Sequence, residues 1–361
     1  MTRMGVAGVL SVVLAAVFAQ GQAASAVGTY VVGSCKPTLP TFPTITAALA
    51  ATPAPTIVQV CPGTYYEQIE ITQPVTLQGI NSGGSGRAVI AVPSGDLTVQ
   101  TTDADGNIRF PQLWVNNAGG TVNLIDLTVD GTGSTQFLLT GIFFQNTSGI
   151  LNHLTLRNQN HVFSAAIVLE GGGASPTVTV ENSVLHDFDN LGIWATSAAG
   201  LTATIKGNDV SMSVGSVRGT GIGAEAGHVT INANDVSGGV TGISIFPPVT
   251  GSVASNVTTK NGIGISTSAD GVSVTGNRIV DSTTFGIAEN TNTATIKSNV
   301  IMHAPYGIDL ACLPSTGTGS NTIIDANVGV LDVPSGGAAN NSYYNVDTLS
   351  SNGVCGSAPV Q

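Results

Sequence analysis

The stretch Val272-Ser-Val-Thr-Gly-Asn277-Arg-Ile279, followed by Phe285-Gly286-Ile287, decides the fold because it recurs. Thr295-Ile296-Lys-Ser-Asn299-Val-Ile301 leads into Tyr306-Gly307-Ile308, and Asn321-Thr-Ile323-Ile-Asp-Ala-Asn leads into Val328-Gly329-Val330. The asparagines Asn234, Asn256, Asn277, Asn299, Asn321 and Asn341 advance by 20 to 22 residues per step. Gly242, Gly262, Gly286, Gly307 and Gly329 advance with them. A fixed period of this size marks a solenoid with one supersecondary unit per repeat.

The content of each unit selects the kind of solenoid. Short runs of Val, Ile and Thr alternate with Gly, Asn, Ser and Asp, which reads as strands separated by turns. No leucine-rich or helical stretch fits in the same span. Strands at this spacing must stack on their successors, parallel and in register, which makes an all-β parallel β-helix. Parallel crossovers are right-handed. Stacked asparagine amides can bond the coils above and below, so the Asn column is expected to be a structural ladder. The glycines are expected to turn corners, with Ile or Val filling the interior.

Composition narrows the function. The chain has 361 residues, 42% apolar and 9% charged, with a net charge of −11. Few charges with much apolar content oppose disorder, and one elongated domain of roughly 55 Å is expected at the strand spacing of about 4.8 Å. Ten Lys and Arg against 21 Asp and Glu leave no basic patch, so nucleic acid is excluded as a partner. A polyanionic polysaccharide would be repelled unless a metal intervened.

Residues 1–26 read as a secretory signal peptide: Arg3, the apolar run Val6 to Phe18, then Ala24-Ser25-Ala26. The mature chain, 27–361, divides into an N-terminal cap (27–55), coils (56–346) and a C-terminal cap (347–361). No other segment is apolar enough to span a membrane, so a secreted, extracellular or periplasmic monomer is expected. Four cysteines in an exported chain are expected to oxidise. Sequence permits three pairings; the local ones are Cys35 with Cys61 and Cys312 with Cys355, closing loops of 26 and 43 residues. Residues 42–51 form a short helix capped by Thr44, with Ile45, Ala48 and Leu49 on one face, and Ile57–Val60 follows as the first core strand.

Cys61-Pro-Gly63-Thr-Tyr65-Tyr-Glu67, continuing to Gly79, resembles the opening of pectin-lyase-like right-handed β-helix proteins, and in particular the P-G-x-Y-x-E segment of pectin methylesterases. Phe144-Gln-Asn146-Thr-Ser-Gly149 is similar to the F-x-N-T-A-G phrase of those esterases. The resemblance implies the fold and an extended glycan ligand of pectin or uronate type. It stops short of the chemistry. The Gln-bearing, Asp-Phe-x-x-Gly and Arg-Pro-Trp segments of the esterases have no counterpart, and Asp187-Phe188-Asp189-Asn190 departs from the second of these at its third letter.

Residues 81–120 lack repeats and read as an excursion from the coil, with Asp103-Ala-Asp105-Gly-Asn107 as an Asp-Gly turn rather than a calcium loop. Polar density rises at one place. Arg157 and His161, then His186, Asp187, Phe188, Asp189, Asn190 and Trp194, then Arg218 fall at one corner of three successive coils. In a lyase-like version Asp187 and Asp189 hold Ca²⁺ against a uronate, Arg157 or Arg218 removes the α proton, and His161, His186, Phe188, Asn190 and Trp194 bind sugar. A hydrolytic version uses the two carboxylates as acid and base. The bland version is a polar outer loop with local hydrogen bonds. No intact catalytic motif decides between an enzyme, a glycan binder and a structural or adhesive surface rod.

Overall fold

The computed structural model describes residues 28–80, 86–196, 200–213, 219–291, 293–311, 318–331 and 340–351. Short strands stack parallel into three faces that wrap a single apolar interior. The first face runs from Thr29–Val32 through Thr202–Lys206 to Thr295–Lys297. The second consists of three- and four-residue strands such as Thr155–Arg157, Val184–His186 and Asp209–Ser211. The third includes Ala165–Glu170, Leu191–Ala195 and Thr220–Ala224. Period-2 alternation sends every second side chain inward. Thus Ile205, Ile231, Val253, Val274 and Ile296 lie in register down the first face, all buried. Ile167, Ile193, Ile222, Ile243, Ile265, Ile287 and Ile308 form the matching column of the third face.

The asparagine column sits inside the corner between the first and second faces. Each side-chain amide donates to the Oδ1 of the next: Asn208 to Asn234 and Asn234 to Asn256 at 2.9 Å, then Asn256, Asn277, Asn299 and Asn321 onward at 3.0 Å. The same Oδ1 accepts the previous asparagine's backbone N–H, as Asn277 does from Asn256 at 2.9 Å. The second amide hydrogen reaches back to a carbonyl of the preceding coil, as from Asn277 to Val253 at 2.9 Å. The buried amides and backbone N–H groups of the column are thereby hydrogen-bonded within the protein. Residues one place earlier, such as Ser255 (φ 57) and Ser298 (φ 57), take the left-handed backbone that makes the corner.

The glycine column has a different cause from the one expected. These glycines lie within third-face strands, where a Cβ on Gly242, Gly264 or Gly286 would stand 2.6 Å from the carbonyl oxygen of the next glycine in the column. Backbone proximity, not a corner, excludes a side chain. The member between Gly242 and Gly286 is Gly264, not Gly262.

At the N-terminus the helix Ile45–Leu49 is capped by Thr44, whose Oγ1 accepts Ala47 N–H at 3.1 Å, and it buries Ile45, Ala48 and Leu49. Glu67 completes the cap, accepting Ile45 N–H at 2.8 Å and Thr46 N–H at 2.9 Å. Thr29–Val32 pairs with Ile57–Val60, so the stack starts one strand before the expected first core strand. Cys35 is bonded to Cys61. Cys312, Cys355 and the leader lie outside the described residues. Among the described residues no helix is long and apolar enough to cross a membrane.

Replacing Asn277 by Ala strips the acceptor from the buried amides of Asn256 and a donor from Val253. We expect a loss of about 3 kcal/mol in denaturant unfolding, against under about 1 kcal/mol for Asn123→Ala on the outer side of the first face. Equal melting of both variants would contradict the ladder's role.

Candidate functional site

The outer side of the third face is where the solenoid departs from plain stacking. Trp114, Phe143, Val168 and Trp194 share one outward column there. They form an apolar cluster separate from the interior, into which Ile193 and Ala195 point. Gly223 is next in the column, and it leaves room for the Trp194 indole to lie over it: a Cβ at Gly223 would meet the ring, with Cη2 3.1 Å away. A second outward column, two residues further along each strand, carries Asn116, Gln145 and Glu170 in strand pairing, with Thr196 and Glu225 at the equivalent places in the following coils.

The excursion after the third coil covers the start of this surface. Gln68 clamps it, accepting from Val99 N–H at 2.9 Å and donating to Val99 O at 2.7 Å. Thr101–Thr102 pairs antiparallel with Arg109 and Ile108, and Asp103-Gly106 forms the hairpin tip. Asp103 holds that tip, accepting Asn107 N–H at 2.8 Å and pairing with Arg109 Nε at 2.8 Å. The Asp-Gly turn expected from sequence is therefore correct. What sequence did not indicate is where the tip lands. Ala104 N–H donates to Glu170 Oε2 at 2.7 Å, and the Asp105 carboxyl is hydrogen-bonded to that of Glu225.

The result is an open cleft of about 520 Å³ lined by Asp105, Asn107, Arg109, Phe163, Asn190, Trp194, Thr220 and Glu225, with Leu138 and Leu191. Trp194, 8% exposed, forms its floor, and Phe163, 46% exposed, stands at its rim. Burial pushes the Glu225 carboxyl above its ordinary value, and the neighbouring Asp105 charge pushes the same way; the Trp194 Nε1–H, 3.3 Å from Oε2, opposes them. Burial likewise raises Glu170 despite hydrogen bonds from Gln145 and Ala104. Two neighbouring carboxyls disfavour each other's ionisation, and Glu225 is the one raised here.

The residues marked out by the sequence divide. Asn190 and Trp194 line the cleft. Arg157 does not: it lies on the second face in register with His186, and its Nε and Nη2 are each 2.8 Å from Asp130 Oδ2. Burial opposes ionisation of Asp130, yet hydrogen bonds from Asn158, Thr132 and Arg157 hold its carboxyl below the ordinary range. His186 Nδ1 is 2.6 Å from Asp187 Oδ2, and Asp187 turns the corner with φ 59. Asp189 N–H donates to Gln159 O at 3.1 Å, and His161 O accepts Ser164 N–H at 2.9 Å. Phe188 corrects an expectation. It offers no surface to a sugar, because the left-handed turn at Asp187 sends it into the interior, fully buried beneath Gly192. Arg218 lies outside the described residues. Among the described residues no group of three or more His, Cys, Asp and Glu is placed to hold a metal ion.

The other lining residues were not marked out as a site by the sequence, among them Asp105, Asn107, Arg109, Phe163, Thr220 and Glu225. One signal was available. Glu170 and Glu225 each stand three places after an interior isoleucine, Ile167 and Ile222, which assigns them to one outward column.

A parallel β-helix with a cleft on one outer face is the class that fold and site define. Residues 192–347 match the family model described as the right handed beta helix region. The fold is that of a right-handed β-helix, as the pectin-lyase-like resemblance implies. Among solved structures it is similar to a double mutant of the periplasmic alginate epimerase AlgG, at 13% identity and TM-score 0.51, covering 82% of this chain and 73% of that one. DFA-IIIase from Arthrobacter chlorophenolicus (13% identity, TM-score 0.49, 85% and 81% covered) and the A-module of mannuronan C-5 epimerase AlgE6 from Azotobacter vinelandii (18%, 0.45, 88% and 94%) are further matches. A search of the curated proteins found no match.

The raised Glu225 carboxyl predicts a pH dependence. A carboxyl with a folded pKa above its unfolded value binds more protons in the native state, so its stabilisation is full below the ordinary 4.5 and fades as pH rises through the raised value. Thermal melting should therefore fall as pH climbs above 4.5, and Glu225→Gln should flatten part of that fall. An unaltered profile in the variant would count against the raised Glu225 carboxyl.

Proposed function

We propose that the protein is exported and recognises an extended polysaccharide, seating its sugar units in the cleft on the third face. The observation that carries the reading is the coincidence in one open groove of an exposed aromatic ring, Phe163, with the hydrogen-bonding groups of Asn107, Asn190 and Thr220. Sugars present apolar ring faces and hydroxyl edges, and such a groove matches both. The solenoid supports it by holding this groove on a rigid, regular face along which a linear polymer can lie. A protein of the same fold is named an alginate epimerase, which agrees with a glycan ligand. The disulfide between Cys35 and Cys61 agrees with an oxidising compartment, as does the signal-peptide pattern of residues 1–26.

The reading is recognition rather than cleavage. Asp105 and Glu225 engage each other directly, whereas the two carboxyls of a glycosidase flank the scissile bond. Glu170 is covered by Ala104 and only 6% exposed. Asp187 and Asp189, the other candidates, are not among the residues lining the cleft and are engaged locally: Asp187 Oδ2 is 2.6 Å from His186 Nδ1, and Asp189 N–H donates to Gln159 O at 3.1 Å.

Both tryptophans of the chain, Trp114 and Trp194, lie on the outward column under or beside the cleft. Glycan binding should therefore change intrinsic fluorescence. Phe163→Ala should weaken binding roughly tenfold while leaving the circular dichroism melt unchanged. If no glycan in a broad panel is retained by the folded protein, the surface-rod reading replaces this one.

A further inference from the structure

We infer that the cleft selects a glycan bearing positive charge, an amino-sugar polymer with free ammonium groups, and disfavours polyuronates. The inference rests on the recognition reading above and adds the substrate class. Charge at the groove decides it. Asp105 and Glu225 face the groove and are in contact, while Asp103 and Glu170 lie beneath it, 4% and 6% exposed. Among the described lining residues the cation is Arg109, and it is already engaged: its Nε is 2.8 Å from Asp103 Oδ2, with side chains 5% and 0% exposed. Arg109 could turn to a uronate carboxylate only by leaving Asp103 buried and unpaired, which is strongly unfavourable.

A uronate would therefore bring a third carboxylate to a pair that already repels. An ammonium group does the opposite. It sits against the Asp105 and Glu225 carboxyl groups, which line the cleft together, and offsets the repulsion between them. The rings of Phe163 and Trp194 beside them add cation–π attraction. The chain's net charge of −11 acts in the same sense at longer range.

The test compares three oligosaccharides of equal length by fluorescence titration at mildly acidic pH: glucosamine, N-acetylglucosamine and galacturonate oligomers. The glucosamine oligomer should bind roughly tenfold more tightly than its N-acetylated counterpart, with the margin shrinking as salt is added. The galacturonate oligomer should bind least. Asp105→Asn with Glu225→Gln should erase the preference; if that pair melts early, Glu225→Gln alone, nearly isosteric, should halve it or more. Asp209→Asn with Asp235→Asn removes the same charge from the second face, where the two residues are in register, and should leave the preference intact. Galacturonate binding as tight as glucosamine overturns the inference, and so does loss of preference in the second-face variant, which would make the attraction diffuse. Tight binding of the N-acetylated oligomer alone leaves recognition standing and removes the charge inference. Binding of none of the three by the folded protein removes both.

Discussion

The asparagine ladder is the constraint on which the rest of this molecule depends. A right-handed coil must bend sharply between its first and second faces, and the bend strands backbone groups inside. One buried amide per coil resolves this, because it carries two donors and an acceptor with two lone pairs. Asn277 uses all of them: its oxygen takes two N–H groups from Asn256's level, and its nitrogen serves Val253 and Asn299. A glutamine would place the amide one methylene too far in, and an aspartate would stack like charges down the interior. The ladder also fixes register. A slip of one residue would turn Ile231 and Val253 outward and break every rung at once.

Register then determines what the outside can be. Because each coil repeats its predecessor, outward residues form columns at strand spacing, and a plain solenoid offers only flat stripes. A pocket needs something that does not repeat. The excursion that ends in the 101–109 hairpin supplies it. Gln68 and Asp96 anchor its base through Val99 and Thr135, the Asp103–Arg109 pair stiffens its tip, and the tip crosses to Glu170 and Glu225 on later coils. The repeating part contributes position and rigidity, and this excursion contributes concavity.

This division explains what could be read from the sequence. The period revealed the ladder, the interior isoleucines and the solenoid because each depends on spacing alone. The helix at Ile45–Leu49 was legible through its cap and its apolar face, both local. The cleft was not, since Asp105 and Glu225 meet only through an excursion whose path no period describes. The density of polar residues near Arg157 and His186 misled for a physical reason. In a chain with so few charges, polar side chains on the surface engage the nearest carboxylate: Arg157 pairs with Asp130, and His186 Nδ1 meets Asp187 at 2.6 Å. The residues of that dense stretch are engaged by partners on the second face, whereas Asp105 and Glu225 in the cleft come from segments far apart in the chain.

The esterase-like phrases show why a likeness in words brings a fold and not a reaction. Glu67 of the P-G-x-Y-x-E segment caps the helix at the N-terminal end of the stack, and the Tyr65 hydroxyl donates to Cys61 O at 2.9 Å within the same turn. In the second phrase Phe144 fills the interior, Asn146 turns a corner with φ 43, and Thr147 accepts Ala118 N–H at 3.1 Å. Each residue answers a need that any β-helix has: a covered end, a satisfied corner, a filled coil. A chain can keep all of them while its outer face carries a different chemistry, because inward and corner positions never touch a ligand. The candidate site, at Asp105, Phe163 and Glu225, accordingly uses positions that neither the interior nor the corners require.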